Sequence, residues 1–324
     1  MKNFKIAQPQ SAEQVLALLS KGGENVSLMA GGTDLLTEIK EGVAEPDLVV
    51  DLGAVKELAF IRKDKEGMHV GSMTTLADLA SDQAIRTDYP GLHEAALSVA
   101  TPQLRNVGTV GGNLCQRPRC WYYRDAKFVC RKKGGSRCFA SRGRNKYHAI
   151  FGGGICHIVY PSDLAPMLLA LDAKVVIVSP RGEKALPLSE FYALPSKNIR
   201  RENILNPNEF LREIKIPPAK TGNKSTYLKL KERGTWDFAL ASAAVKATVA
   251  GSGFSDVRIV LGGVAPIPWR LEKVEQIVMG RKLDEGLIKE AAEVALREAK
   301  PLGENAYKVA LVETLLVRSL LSLT

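Results

Sequence analysis

The stretch RNVGTVGGNL, residues 105–114, sets three glycines beside a threonine and an asparagine. A related stretch, LMAGGTDLL at residues 28–36, places two glycines after an apolar segment, and Thr33 or Asp34 can cap a helix that follows. Adjacent glycines let backbone N–H groups approach an anion closely at a helix start, where the helix dipole favours negative charge. Neither stretch has Rossmann or P-loop spacing. One such turn is typical of a tight corner, but two predict a single ligand with two phosphates.

Three regions extend outward from these turns. Residues 1–52 hold a helix that opens with a capping box at Ser11, followed by two short apolar strands on either side of the first glycine turn. Residues 53–218 alternate strands with helices, and a Pro-Pro pair at their end marks a linker. Residues 219–324 begin with long strands and end in helices. This order is typical of an α+β fold.

Composition places the chain among soluble globular proteins. Its 324 residues suffice for roughly two domains with a full hydrophobic core. The longest apolar stretch, 164–178, is interrupted by charges and is too short to span a bilayer. The opening residues, MKNFKIAQPQSAEQ, lack a signal-peptide pattern. We therefore expect no membrane span and a cytoplasmic location, where cysteines act as metal ligands or free thiols more often than as disulfides.

Four of the five cysteines lie in one highly basic stretch, CQRPRCWYYRDAKFVCRKKGGSRC at residues 115–138. From Arg117 to Lys146 there are eleven basic residues and one acidic residue, which leaves 34 of each elsewhere. A nucleic-acid-binding domain usually spreads its basic residues over a groove-sized face, whereas these crowd round cysteines. Cations here would offset the charge of an anionic iron–sulfur centre, although a solvated basic loop is the simpler alternative.

Three motifs resemble one protein family over nearly the whole chain. They are MAGGTDLL at 29–36, TPQLRNVGTVGGNL at 101–114 and PSDLAPMLLALDAKV at 161–175. In order and spacing they are similar to the flavin-binding medium subunit of the molybdenum hydroxylases, the family of xanthine dehydrogenase, carbon monoxide dehydrogenase and aldehyde oxidoreductase.

The resemblance implies two domains. A two-part FAD-binding domain of the vanillyl-alcohol oxidase (PCMH) type would cover residues 1–218, with subdomains 1–52 and 53–218 and an insert at about 115–158. A C-terminal domain with a small antiparallel sheet and helices would cover residues 219–324.

The resemblance also implies which residues contact FAD. The pyrophosphate turn of the family corresponds to Ala30, Gly31, Gly32, Thr33, Asp34 and Leu35. Its second FAD segment corresponds to Thr101, Gly108, Thr109, Gly111, Gly112 and Asn113. An acid that contacts the ribityl chain corresponds to Asp163, and a basic contact corresponds to Lys229. No catalytic residue is expected beyond these, because the chemistry would belong to the flavin.

The insert is similar to the one in 4-hydroxybenzoyl-CoA reductases and, more closely, in a periplasmic-type aldehyde oxidoreductase. That resemblance implies a [4Fe–4S] cluster whose ligands are Cys120, Cys130, Cys138 and Cys156. Their spacing, C-x9-C, C-x7-C and C-x17-C, matches neither a zinc ribbon nor a ferredoxin run. Cys115 departs from the family pattern and is expected to be a buried free thiol. The nearby His148 and His157 are expected to pack or hydrogen-bond, and Trp236 and Trp269 to lie in the core.

Two classes of function follow. In the first, the chain is a redox subunit whose FAD passes electrons between [2Fe–2S] centres of a partner and an external acceptor, most plausibly in aldehyde oxidation. Its partners would be a small [2Fe–2S] subunit and a large molybdenum subunit, and a 4-hydroxybenzoyl-CoA reductase-type subunit with reversed electron flow is the alternative. In the second, the chain is a protein stabilised by a structural zinc site that binds nucleic acid through the basic insert.

Overall fold

The computed structural model describes residues 1–22, 25–251 and 253–323. The N-terminal part is a small parallel sheet of order β1-β3-β2, in which β1 (Lys5–Ala7) and β2 (Val26–Met29) both pair with β3 (Leu48–Asp51). Helix α1 (Ala12–Gly22) covers it, and its first turn is capped by the Ser11 hydroxyl, which accepts the N–H of Gln14 at 3.4 Å. Helix α2 (Leu35–Lys40) directly follows the first glycine turn.

The middle of the chain forms a five-stranded antiparallel sheet of order β4-β5-β8-β6-β7. Its strands are β4 (Ile61–Asp64), β5 (Gly67–Gly71), β6 (Lys174–Ser179), β7 (Gly182–Pro187) and β8 (Phe210–Ile216). Its helices are α3 (Leu76–Ser81), α4 (Gln83–Asp88), α5 (Pro90–Ser98), α6 (Pro102–Arg105), α7 (Val110–Cys115), α8 (Trp121–Arg124), α9 (Leu164–Ala170) and α10 (Leu188–Phe191).

The C-terminal part is a four-stranded antiparallel sheet of order β12-β11-β10-β9 with helices on one side. Its strands are β9 (Asn223–Leu230), β10 (Ala241–Ala250), β11 (Gly253–Gly262) and β12 (Trp269–Arg270). Its helices are α11 (Glu272–Val278), α12 (Glu285–Leu296) and α13 (Tyr307–Leu321). Strands followed by helices are what the sequence predicts for this region, and the α+β fold class is confirmed.

Buried apolar residues connect these parts. All seven residues of α9 are buried, and this helix shares one core with Val175 of the middle sheet and with Ala244 and Val260 of the C-terminal sheet. The insert contributes Ile150 and Phe151 to the second core, under α11 to α13. The cysteine-rich insert is therefore anchored in the C-terminal core as well as in the middle region. No helix in the described parts of the chain is long and apolar enough to cross a membrane.

Candidate cofactor site

The two glycine turns lie against each other. A β-carbon on Gly31 would overlap the carbonyl oxygen of Val107, and one on Gly112 would lie 3.6 Å from the methyl group of Ala30. Gly32 adopts a φ of +71°, a left-handed conformation that strongly favours glycine. The two glycine turns, about 75 residues apart in the sequence, therefore have their backbones in close contact. A single ligand that spans both turns requires this proximity.

The first turn offers free backbone donors, but the glycine amides of the second turn do not. The N–H groups of Gly31, Gly32 and Thr33 have no acceptor among the described residues. In the second turn, however, the N–H of Gly111 is bonded to the carbonyl of Ser72 and that of Gly112 to the hydroxyl of Thr109. Glycine amides are therefore free in the first turn, whereas those of Gly111 and Gly112 in the second turn are bonded within the protein.

The polar side chains of the second segment act mainly on the protein itself. Thr101 and Thr109 cap α6 and α7 by accepting the N–H groups of Leu104 and Gly112, at 3.3 and 3.1 Å. The side-chain oxygen of Asn113 accepts the hydroxyl of Ser162 at 2.6 Å. This bond turns the amide nitrogen of Asn113 away from Ser162 and leaves it available as a donor.

Asp34 does not cap α2, contrary to the sequence-based expectation. Its carboxylate accepts the N–H of Arg117 at 2.7 Å and the guanidinium of Arg124 at 2.6 Å, and it also pairs with Arg119. Burial opposes ionisation of Asp34, but Arg119 and Arg124 outweigh that effect and lower the pKa of its carboxyl group. The side chain of this turn residue therefore faces the insert.

Asp163 and Lys229, each predicted as a FAD contact, form a buried ion pair with each other. The Lys229 ammonium is 2.7 Å from the Asp163 carboxylate and donates a second bond to the carbonyl of Ser98 at 3.1 Å. The Tyr227 hydroxyl donates to the other carboxylate oxygen of Asp163 at 2.6 Å. The pair thereby fixes α9 against β9, next to Ser162 and the second glycine turn.

A large cleft opens between residues 159–162, which directly precede Asp163, and the loop at 232–240. Ser162 lines it, and the bond from Ser162 to Asn113 connects it to the second glycine turn. Its walls combine aromatic side chains, those of Trp121, Tyr147, Tyr160 and Phe238, with the charged side chains of Arg119, Glu232, Arg233 and Asp237. Aromatic faces beside polar groups can hold and orient a planar ligand.

The four predicted cysteine ligands line one smaller pocket: Cys120, Cys130, Cys138 and Cys156. Cys115 lies elsewhere, packed against the core around α9, and burial raises the pKa of its thiol to about 12. Cys115 is therefore a free thiol, partly buried against this core and away from the other four cysteines. Within the described residues, no three or more His, Cys, Asp or Glu side chains converge on a point where one metal ion could bind.

Hydrogen-bond donors surround the thiols. Burial raises the pKa of the Cys120 thiol to about 11, against the opposing effect of the backbone N–H groups of Tyr122 and Tyr123. A hydrogen bond between Cys156 and Cys138 raises the pKa of the Cys156 thiol and lowers that of Cys138 to about 5.

His148 adds a side-chain contact to this set, since its Nε2 lies 3.2 Å from the sulfur of Cys120. Burial lowers the pKa of His148 to about 4, so its imidazole is neutral at pH 7. Cys120 and His148 line both the cysteine pocket and the large cleft, so the two cavities share a wall.

Acids from outside the insert pair with at least six of its eleven basic residues. Each of the six has an acidic partner within 4.0 Å: Arg117 and Lys132 with Glu202, Arg119 and Arg124 with Asp34, Arg144 with Glu304, and Lys146 with Glu232. Sequence reasoning missed these acids, because each lies far along the chain from its partner and no local pattern marks it.

The fold and the adjoining cavities define a flavin-binding subunit of an oxidoreductase. Residues 2–219 match the family described as "FAD binding domain in molybdopterin dehydrogenase", and residues 225–323 match "CO dehydrogenase flavoprotein C-terminal domain". The chain therefore belongs to the family of FAD-binding medium subunits of the molybdenum hydroxylases, as its sequence motifs predict. It is the flavoprotein component of an oxidoreductase, and the two-part FAD-binding domain with a CO dehydrogenase-type C-terminal domain is confirmed.

Individual relatives agree with this assignment. The chain is 34% identical to the aldehyde oxidoreductase FAD-binding subunit PaoB of Escherichia coli K12, over 92% of this chain and 91% of that protein. It is 28% identical to the carbon monoxide dehydrogenase medium chain of Hydrogenophaga pseudoflava, over 98% and 96%. The solved structure of carbon monoxide dehydrogenase from H. pseudoflava superimposes with a TM-score of 0.79 at 27% identity, covering 98% of this chain and 96% of that one.

Proposed function

We propose that this chain is the electron-transfer subunit of an aldehyde-oxidising molybdenum hydroxylase, with the flavin ring of FAD in the large cleft and a [4Fe–4S] cluster in the cysteine pocket. The observation that carries the proposal is the wall shared by the two cavities, to which Cys120 and His148 contribute. A group bound through Cys120 would lie beside a ligand in the cleft, and electron transfer between the two needs that proximity.

The cysteine pocket suits a four-iron cluster. Four thiols are the ligand set of such a cluster, and here they line the walls of a pocket and do not converge on one point, as ligands of a single zinc ion do. A hydrogen bond from the Cys156 thiol lowers the pKa of Cys138 to about 5, so this position favours the thiolate that a cluster ligand requires.

The residues around the glycine turns suit FAD. The free amides of Gly31, Gly32 and Thr33 and the amide nitrogen of Asn113 provide donors for a pyrophosphate. Asp163 directly follows Ser162, which lines the cleft, and we place the ribityl chain beside it. FAD supplies the exchange of two electrons, which links one-electron centres to a two-electron acceptor, and the protein binds and orients it.

We further propose two partner subunits, a small [2Fe–2S] protein and a large molybdenum protein, together with an external electron acceptor. The 34% identity to the PaoB subunit of an aldehyde oxidoreductase supports aldehydes as substrates. Affinity purification of the tagged chain from its native host should recover both partners, and the complex should oxidise aldehydes with a dye as acceptor. A chain that purifies alone yet oxidises aldehydes at full rate would contradict this arrangement.

The cluster is tested by changing each of the four cysteines singly to serine, with Cys115→Ser as the matched control. The purified chain should be yellow-brown, and each of the four variants should lose iron and the paramagnetic signal of the reduced cluster. Cys115→Ser should keep both. A colourless preparation that contains zinc, and whose metal is lost in the same four variants, would reject the iron–sulfur proposal in favour of a zinc site.

A further inference from the structure

The carboxylate of Asp34 connects the first glycine turn to the start of the cysteine insert. It accepts the backbone N–H of Arg117 at 2.7 Å and the Nη2 group of Arg124 at 2.6 Å, and it pairs with Arg119. All three donors belong to an eight-residue segment that contains Cys120. The turn and this segment are therefore held in one fixed arrangement.

A second acid continues this connection one helical turn further along α2. Glu38 accepts the hydroxyl of Tyr123 at 2.7 Å and lies 3.9 Å from the Nη1 atom of Arg124. Its side chain is 7% exposed, and that of Asp34 is 17% exposed. Residues separated by four positions share one face of a helix, so the turn and α2 present two acids to the same segment of the insert.

Each side of this contact compensates the charge of the other. A buried carboxylate that loses its cationic partners is left with an uncompensated charge, which is strongly destabilising. Arg119 and Arg124 are placed by the backbone on either side of Cys120, which directly precedes helix α8. Any group that fixes Cys120 therefore also fixes the two cations that Asp34 needs.

We propose that Asp34 is a positioning residue that couples FAD binding at the first glycine turn to cluster binding at Cys120. The inference rests on the proposed function, because it assumes that both cofactors bind where the residues place them. Asp34 acts through the turn: with its cations in place, the amides of Gly31 and Gly32 stay in the conformation that receives a pyrophosphate. Coupling between two binding sites is reciprocal, so loss of either cofactor weakens retention of the other by the same factor.

The test measures the dissociation constant of FAD for the full chain in two states, cluster-loaded and stripped of iron by a chelator under oxidising conditions. Titration with FAD under anaerobic conditions, followed by flavin fluorescence, gives both constants. In the wild-type chain, removal of the cluster should raise the dissociation constant about fivefold or more, the usual lower range of coupling between sites. In Asp34→Asn, the ratio of the two constants should fall close to one.

Two further variants make the result specific. Arg124→Gln removes a partner of Asp34 from the insert and leaves the glycine turn unchanged, so it should lower the ratio even if Asp34→Asn folds poorly. Arg144→Gln is the matched control, because its ion pair with Glu304, at 3.2 Å, is exposed and does not involve the turn. Its ratio should equal that of the wild-type chain.

A wild-type ratio of one would overturn the coupling, and so would an unchanged ratio in both Asp34→Asn and Arg124→Gln. These results are distinct from failure of the proposed function. A native preparation without iron or without flavin would reject the proposed function and the coupling with it, whereas a preparation that holds both cofactors and shows a ratio of one would reject the coupling alone.

Discussion

The buried pair of Asp163 and Lys229 gives a stability prediction that separates a structural role from a ligand contact. Their side chains are 6% and 4% exposed, and their charged atoms lie 2.7 Å apart. Lys229→Met would leave a buried carboxylate whose remaining side-chain donor is the hydroxyl of Tyr227. Removing one partner of a buried pair costs about 3–5 kcal/mol. Because Tyr227 still compensates in part, we expect a loss at the low end, about 3 kcal/mol.

The assay is urea unfolding of the FAD-free chain at pH 7, followed by far-UV circular dichroism. Lys246→Met is the matched control on the neighbouring strand β10, since its partner Asp256 is 35% exposed. Its loss should stay below about 1 kcal/mol. The double variant Asp163→Asn with Lys229→Met should recover most of the lost stability, because neither charge then remains buried alone.

One result would refute this reasoning. If Lys229→Met unfolds at the wild-type urea concentration while its affinity for FAD falls, then the free chain does not depend on the pair. Lys229 would in that case act on the ligand and not as an anchor between α9 and β9.

Three further predictions concern packing, pH and buried charge. Gly31→Ala should lower both the midpoint of thermal unfolding and the flavin content, because its methyl group would overlap the carbonyl of Val107, whereas Gly303→Ala, which has open space around it, should change neither. Burial lowers the pKa of Lys308 to about 7 from 10.5, so the unfolded chain binds more protons between these values, and the free energy of unfolding should rise with pH from about 7 to 10.5. Lys308→Met should remove that rise, as urea unfolding at several pH values would show. Glu202→Gln should destabilise the insert by about 3 kcal/mol or more, measured in the same way, because it leaves two cations without their carboxylate.

The elements and the glycine turns were predictable because their signals are local. Periodicity, capping residues and paired glycines act over fewer than about ten residues, and the structure places a helix or strand at each predicted segment. The roles of single side chains were less predictable. The residues next to Asp34 in the sequence predict that it binds a ligand or caps a helix. Its contacts with Arg117 and Arg124, more than 80 residues away, exist only in the folded chain.

The position of Trp236, an apolar residue, was also not predictable from the sequence. A tryptophan is expected in a core, and Trp269 does stack on Phe151 with ring centroids 5.6 Å apart. The expectation was wrong for Trp236, which is 62% exposed and has a φ of +51°. The backbone N–H of Trp236 donates a hydrogen bond to the carbonyl of Ala100. This bond holds the loop between β9 and β10, while the indole ring points outward.

Most of the basic side chains of the insert are bonded within the protein, which bears on whether they could offset the charge of a cluster. Arg131 and Lys132 line the cysteine pocket, and the sequence alone suggests that such cations offset an anionic cluster. Lys132, however, is buried against Glu202, so its charge is largely compensated within the protein. The guanidinium of Arg131 bonds to the carbonyl of Ser136. Backbone N–H groups at the sulfurs, in contrast, stabilise negative charge without a counter-ion. Stabilisation of an anionic cluster would therefore be shared between these dipoles and the basic side chains, and most of the paired basic residues serve first to hold the insert against the two domains.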